Sequence, residues 1–343
     1  MEKFLPEICT IQYGFPFDSA KFSTSEGMPL IRIRDVVRGY SETFTTEEYK
    51  EEYIVSKDDL LIGMDGEFNI AKWGETPALL NQRVCRLFPT SEVDKNYLFY
   101  FMPSALKRIE EKTPFVTVKH LSAKELNKVK VPLPPLDEQR RIAAVLDKVS
   151  DLIAKRRAQL DKLNLLVKAR FVEMFENTDE NILLSDVAEV TGGLTKNSKR
   201  KDLPIKLPYL RVANVFFDAI DTNEILEIGV TEEEKSKTLL RNGDLLFVEG
   251  NGSPEQIGRV AVWRDEIVPC VHQNHLIKAR FNMEKMLPVY AMNYFMTQKG
   301  REQIKAKAVS TSGLYTLSVS KIESLYVPFA PMDAQLQFTS FKE

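Results

Sequence analysis

The sequence predicts an α+β protein built from two similar domains joined by a long heptad-patterned helix. Three observations predict it. Val131-Pro132-Leu133-Pro134-Pro135-Leu136-Asp137-Glu138-Gln139 is echoed 196 positions later by Val327-Pro328-Phe329-Ala330-Pro331-Met332-Asp333-Ala334-Gln335, in a chain of 343 residues. The segments ahead of the two copies match in the same order. A heptad pattern without glycine or proline follows the first copy. The resulting division is a first domain over 1–135, a helix over 136–177, a second domain over 178–331 and the stub of a second helix over 332–343.

The match extends well beyond the phrase. At an offset of 179, Glu7–Ile11 falls on Asp186–Val190, Gly14 on Gly193 and Pro29–Ile33 on Pro208–Val212. Asp59-Leu60-Leu61 falls on Asp244-Leu245-Leu246 at 185, Gln82 on Gln273 at 191 and Leu121-Ser122 on Leu317-Ser318 at 196. An offset that only grows describes two related folds whose second copy carries loop insertions. Solenoids have much shorter periods and more copies.

Each domain begins with a short helix or turn and continues into an alternating strand. Leu30-Ile31-Arg32-Ile33-Arg34 places aliphatics on one face and arginines on the other, the period of an extended chain. Ser56–Asp59 and Arg241–Asp244 are turn signals before apolar strands. Polar, glycine-bearing loops follow at Met64–Asn69 and Glu249–Pro254, then strands containing Trp73 and Trp263. Helices are predicted around 97–111 and 289–307. The mixture implies a curved sheet with flanking helices in each domain.

The central helix is predicted with Asp137 as its N-cap. Ile142, Leu146, Val149, Ile153, Arg156, Leu160, Leu163, Val167, Arg170 and Met174 follow in 4-3 steps, a coiled-coil seam. About 40 residues would make a rod of roughly 60 Å. Each large aliphatic left in water forgoes roughly 1.5–3 kcal/mol, so the seam calls for a partner helix. That cover is expected from self-association through residues 140–175 or from another subunit.

A hydrophobic content of 43% suffices for two cores. No apolar run reaches the ~18 residues of a membrane span, and Met1–Pro6 lacks the features of a signal peptide. Cys9, Cys85 and Cys270 are widely spaced, which suits reduced thiols in a cytoplasmic protein rather than a metal site or a disulfide. The net charge of −2 neither announces nor excludes nucleic-acid binding, which depends on local basic patches. Such patches stand at Lys155-Arg156-Arg157 and Lys196–Lys201.

The phrase Val131–Gln139 running into Arg140–Asp147, together with Asp59–Trp73, resembles the DNA-specificity subunits of type I restriction-modification systems. The resemblance covers nearly the whole chain. It implies two target-recognition domains, each reading one half of a split double-stranded DNA sequence, with the helix fixing their spacing. It further implies docking to methyltransferase subunits and, through them, to restriction subunits. This chain would be non-catalytic and bind no cofactor, the methyltransferase partner using S-adenosylmethionine. In agreement, the sequence has no GxxxxGK[ST] phosphate loop and no Asn-Pro-Pro-Tyr or Asp-Pro-Pro-Tyr segment for a flipped base. His272 and His275 lack the further ligands a metal would need.

Base edges in the major groove are read by Arg, Lys, Asn and Gln, and phosphates are held by Lys, Arg, Ser and Thr. The candidates in the first domain are Asn69, Lys72, Gln82, Arg83, Thr117 and Lys119. In the second they are Asn251, Ser253, Gln256, His272, Gln273, Asn274, Thr311 and Tyr315, with Lys196, Lys199 and Arg200 as a phosphate clamp. Gln82 and Gln273, placed alike in the repeat, suit a framework role at least as well as base reading.

The family's second long helix normally pairs antiparallel with the first, whereas only Leu336–Glu343 follows the second phrase here. A truncated or phase-variable form, or a helix supplied by another chain, would account for this. Two other readings share features of the sequence: the specificity subunit of a type IIB-like enzyme, and a coiled-coil scaffold without a DNA role. The scaffold leaves the paired polar loops unexplained.

Overall fold

The computed structural model describes residues 1–74, 77–113, 119–176, 178, 180–311 and 313–343. It divides into two compact units, Met1–Arg157 and Ala158–Glu343. The long helix Leu136–Phe175 therefore contributes its beginning to one unit and its end to the other.

Both units use the same antiparallel sheet. In the N-terminal unit the strand order is Cys9–Tyr13, Val84–Pro89, Leu60–Gly63, Asn69–Lys72; in the C-terminal unit it is Ala188–Gly192, Leu276–Phe281, Leu245–Val248, Val260–Val262. Leu60 and Ile62 pack against the helix Lys95–Lys112, while Leu61 faces a second cluster containing Ile31, Trp73 and Leu80. Leu245 and Phe247 likewise oppose Leu246 and Val248, the latter two packed with Trp263. A sheet covered on both faces explains why these strands are continuously apolar rather than alternating.

A short parallel pairing accompanies each sheet: Leu30 with Leu79 and Ile31 with Leu80, Tyr209 with Val271 and Leu210 with His272. The predicted alternating strand stops at Ile31. Ile33–Arg38 is a helix, because the Asp35 carboxylate accepts the Arg32 backbone N–H at 2.9 Å and closes a helical first turn. Arg32 and Arg34 thus leave the sheet and project from a helix start.

The repeated phrase ends each unit by a common device. Gln139 is buried; its Oε1 accepts from Asp94 N at 2.8 Å and its Nε2 donates to Glu92 O and Pro134 O. Gln335, also buried, accepts from Leu287 N at 2.9 Å and donates to Ala330 O and Lys285 O. Each glutamine ties the phrase to the start of the unit's main helix, satisfying backbone groups that burial would otherwise leave costly. Tyr97 and Tyr290 add matching bonds to Pro132 O and Pro328 O.

Two features of the helix differ from expectation. Glu138 N and Gln139 N bond to Pro135 O, so Asp137 lies inside the first turn, where it pairs with Arg140 at 3.6 Å rather than capping. The residues that pack on the units are also offset from the predicted seam. Gln139, Ala143, Phe171 and Phe175 are buried, Ile142, Leu146, Val167, Arg170 and Met174 are partly covered, and Val149, Ile153, Arg156, Leu160 and Leu163 are exposed. Leu152, Leu165 and Leu166 widen the exposed apolar band. Aliphatic spacing alone cannot separate the stripe a helix turns to its own domain from one it leaves exposed. The second phrase leads into the helix Met332–Lys342, whose Phe338 stacks edge-on against Phe171 at 5.0 Å.

Candidate nucleic-acid interface

In both units, three loops are laced together at one end of the sheet. Gly14 and Gly193 begin the arrangement: a Cβ on Gly14 would lie 2.1 Å from Asn81 O, and one on Gly193 2.4 Å from Gln273 O. Only glycine lets these backbones pass so closely. Phe15 N then bonds to Leu80 O and Gln82 N to Phe15 O, as Leu194 N bonds to His272 O and Asn274 N to Leu194 O. Met64 N reaches Arg83 O, and Glu249 N reaches His275 O. The third loop closes through Leu121 N to Met64 O and Leu317 N to Glu249 O.

These bonds correct the sequence register. Phe15 bridges Asn81, and Leu194 bridges Gln273, so Gln273 stands where Asn81 does. Asn274 answers to Gln82, and His275 to Arg83. Gln82 and Gln273 are not equivalent. A one-residue slip here is invisible in sequence because the loop has no apolar pattern to fix its alignment.

In the N-terminal unit, buried Asp65 receives Arg83 on one oxygen and His120 Nδ1, at 2.5 Å, on the other. Burial works to raise the Asp65 pKa, but the hydrogen bonds and charges of His120 and Arg83 outweigh it and hold the carboxyl below its usual value. Arg83 and His120 keep 62% and 64% of their side-chain surface in solvent, so both are oriented from below and presented outward. Gln82 is exposed beside them. Neither His120 nor Asp65 was singled out by the sequence; their signal was the pairing of one glycine loop with a histidine 55 residues away.

The other N-terminal candidates divide. Asn69 is half-buried and donates to Glu67 O at 3.2 Å. Lys119 turns inward to Glu110 at 3.4 Å. Lys72 lies at the far end of its strand from the loops, over the ring of Phe99 on the helix Lys95–Lys112 at 5.0 Å; packing between helix and sheet claims it. Thr117 lies outside the described residues.

In the C-terminal unit the third loop is a hairpin, Val309–Thr311 with Leu314–Thr316, whose Tyr315 pairs with Asn251 and is half-buried against the core. Thr311 contributes its backbone at the hairpin tip. Asn251 Oδ1 accepts from Ser253 N at 2.9 Å, Ser253 Oγ accepts from Glu255 N at 3.3 Å, and Gln256 accepts from Arg259 at 3.3 Å. These three shape the loop. Gln273 and Asn274 are partly exposed, and His275 pairs with Glu249 at 2.9 Å.

His272 cannot meet a base. It is fully buried, its Nδ1 faces Thr238 O at 3.0 Å, and burial, helped by the Lys278 charge, pulls its pKa down to about 4. It is a neutral core residue because it occupies the parallel strand pairing, at the place of Leu80. Arg200 is also withdrawn from the expected clamp: it grips Glu234 at 2.8 and 3.0 Å and donates to Gly229 O. Its hydrogen bonds hold Glu234 down to about 2. Lys196 and Lys199 remain exposed. Cys9, Cys85 and Cys270 are buried free thiols, pushed up to about 12 by desolvation. Among the described residues no His/Cys/Asp/Glu cluster could hold a metal ion, and no helix is long and apolar enough to cross a membrane.

Each sheet presents polar loops at one end, and comparison with known proteins shows what the chain is similar to. Residues 1–164 match the family model of the type I restriction modification DNA specificity domain. The chain is 39% identical over 197 residues to the EcoBI specificity subunit of Escherichia coli, covering 57% of this chain and 39% of that protein. It is 24% identical over 347 residues to the EcoKI specificity subunit of Escherichia coli strain K12, covering 90% and 73%. A crystal structure of a type I restriction-modification S subunit from M. genitalium shares the fold, with a TM-score of 0.55 at 15% identity over 100% of this chain and 88% of that one. Residues 1–164 are thus similar to a type I restriction-modification DNA specificity domain, and most of the chain is similar to specificity subunits of such systems.

Proposed function

We propose that this chain reads a bipartite double-stranded DNA target, one half with each unit, and brings methyltransferase and restriction subunits to it. The observation that carries this reading is the repetition of one loop scaffold with different polar contents: Gln82, Arg83 and His120 in one unit, Gln273, Asn274 and His275 in the other. A shared frame with unlike side chains suits two readers of unlike sequences, since base edges are distinguished by donor and acceptor pattern. Asn251, Ser253 and Gln256 support the loops, and Lys196 and Lys199 are placed to meet phosphates. The chain itself would bind no cofactor, leaving S-adenosylmethionine to the methyltransferase partner. Exposed Val149, Ile153, Leu160 and Leu163 on the long helix support a role in receiving another protein chain.

Methylation mapping in cells carrying the chain with its methyltransferase tests the reading. Gln273→Ala with Asn274→Ala should alter one half of the methylated sequence and leave the other intact. Alteration of both halves would defeat independent reading by the two units.

A further inference from the structure

Outside the long helix, which carries Lys155-Arg156-Arg157, the N-terminal unit has no basic run like Lys196–Lys201, yet it must hold a DNA backbone if the function proposed above is correct. We propose that the groove between the Phe17–Phe22 segment and the Asn81–Arg83 loop, edged by Arg32, Arg34 and Arg83, is the phosphate-binding surface of this unit.

The groove is walled by Phe17, Ser19 and Phe22 on one side and by Asn81 and Gln82 on the other, with Arg32 and Arg34 entering from the helix start. Arg32 is exposed and has no ion-pair partner among the described residues. Arg34 keeps 53% of its side chain in solvent, above Asp35 at 3.7 Å and Thr43 Oγ1 at 3.4 Å. Asp35 and Asp65 are buried, so the carboxylates lie beneath and the guanidiniums face outward. Asp18, on the rim, is engaged by the Ala20 N–H at 2.9 Å. The fork of a guanidinium suits phosphate oxygens, and such contacts fix position without reading sequence.

The C-terminal unit supplies the second argument. At the offset of 179, Lys196 stands at the place of Phe17 and Lys201 at that of Phe22, while Arg211 replaces Arg32 and Ala213 replaces Arg34. Arg211 is tied to Glu224 at 3.3 Å. In the repeat, positive charge stands at the positions of Phe17 and Phe22 in the C-terminal unit and at Arg32 and Arg34 in the N-terminal one, so what the two units share is charge in this part of the sequence, not the residues that carry it. A ligand that demands charge there, whatever the sequence it carries, is a nucleic-acid backbone.

The test is mobility shift of the full-length chain on a random-sequence duplex across a salt series. Arg32→Gln with Arg34→Gln should lower the log–log salt slope by roughly 1.8, about 0.9 for each lost phosphate, with thermal stability unchanged. Arg32→Lys with Arg34→Lys should restore the slope, since a phosphate accepts a point charge. A parent that binds with a slope the glutamine variant does not change overturns the groove and leaves the general function standing. Failure of the lysine variant to restore it also overturns a phosphate role. A parent that binds no duplex at any salt overturns both.

Discussion

The two units solve one structural problem with different residues, and the differences show which parts are frame. Asp59 and Asp244 both hold a guanidinium at the sheet: Arg86 at 2.9 Å and Arg280 at 2.7 Å. The pairing register puts Arg86 opposite Leu61 but Lys278 opposite Leu246, so Arg280 approaches from two residues further along the same face. The bond is kept while the residue supplying it moves. At the loops the opposite holds: the backbone bonds are kept and the side chains they display change. What repeats as geometry is scaffold; what differs on that geometry is the candidate reader.

The largest expected effect comes from breaking the arginine anchors. Arg86 is 7% exposed and also donates to Gln12, Ile54 O and Glu52 O, whereas Arg280 is 25% exposed and, among the described residues, adds only Leu239 O to its aspartate. Arg280→Met should cost about 4 kcal/mol by stranding Asp244, which is 1% exposed, and Arg86→Met about 3 by stranding the better-solvated Asp59, 18% exposed, together with its neutral acceptors. Urea unfolding of each variant measures this, and equal losses would show that the two anchors do the same work despite their burial.

An acid limb should distinguish the units next. The folded-state pKa of His272, about 4, lies below the ordinary ~6.5 of an unfolded histidine. Its contribution is therefore fully present above pH ~6.5 and is lost as pH falls toward 4, on the order of 3 kcal/mol. Leu80 occupies this place in the N-terminal unit and cannot titrate. His272→Leu should remove that pH dependence, and a stability–pH profile of the variant that still falls through this window would place the proton elsewhere.

The smallest effect on stability is expected at Lys199. Lys199→Ala should change stability by less than about 0.5 kcal/mol, as for other exposed sites, yet reduce the salt slope of duplex binding by about 1. Sequence-selective loss instead would make Lys199 a base reader. Arg200→Ala should behave in reverse, losing stability by releasing Glu234 and affecting DNA only indirectly.

Much of the frame was legible. The duplication, the mixed fold, the long helix and the loop regions follow from repeats and periodicities that depend on chain-local rules; Gly14 and Gly193 match in the repeat, but their anchoring of the loops was not legible there. The individual candidates were less legible. His272 and Asn274, two residues apart, have opposite fates because one lies in a parallel strand pairing and the other just beyond it. Arg200 resembles its lysine neighbours in sequence, but Glu234, 34 positions away, turns it inward. Arg32 and Arg34 read as the polar face of a strand until the Asp35 cap is seen to start a helix.

The sequence by itself determined that two homologous units precede and follow a heptad helix, since hydrophobic period and repeated turns survive without knowledge of contacts. Only the tertiary structure decided the register of Asn81 with Gln273, the withdrawal of His272 and Arg200, and the gathering of Asp65, Arg83 and His120. Each of those depends on hydrogen bonds between residues far apart in the chain, where no local period constrains which partners meet.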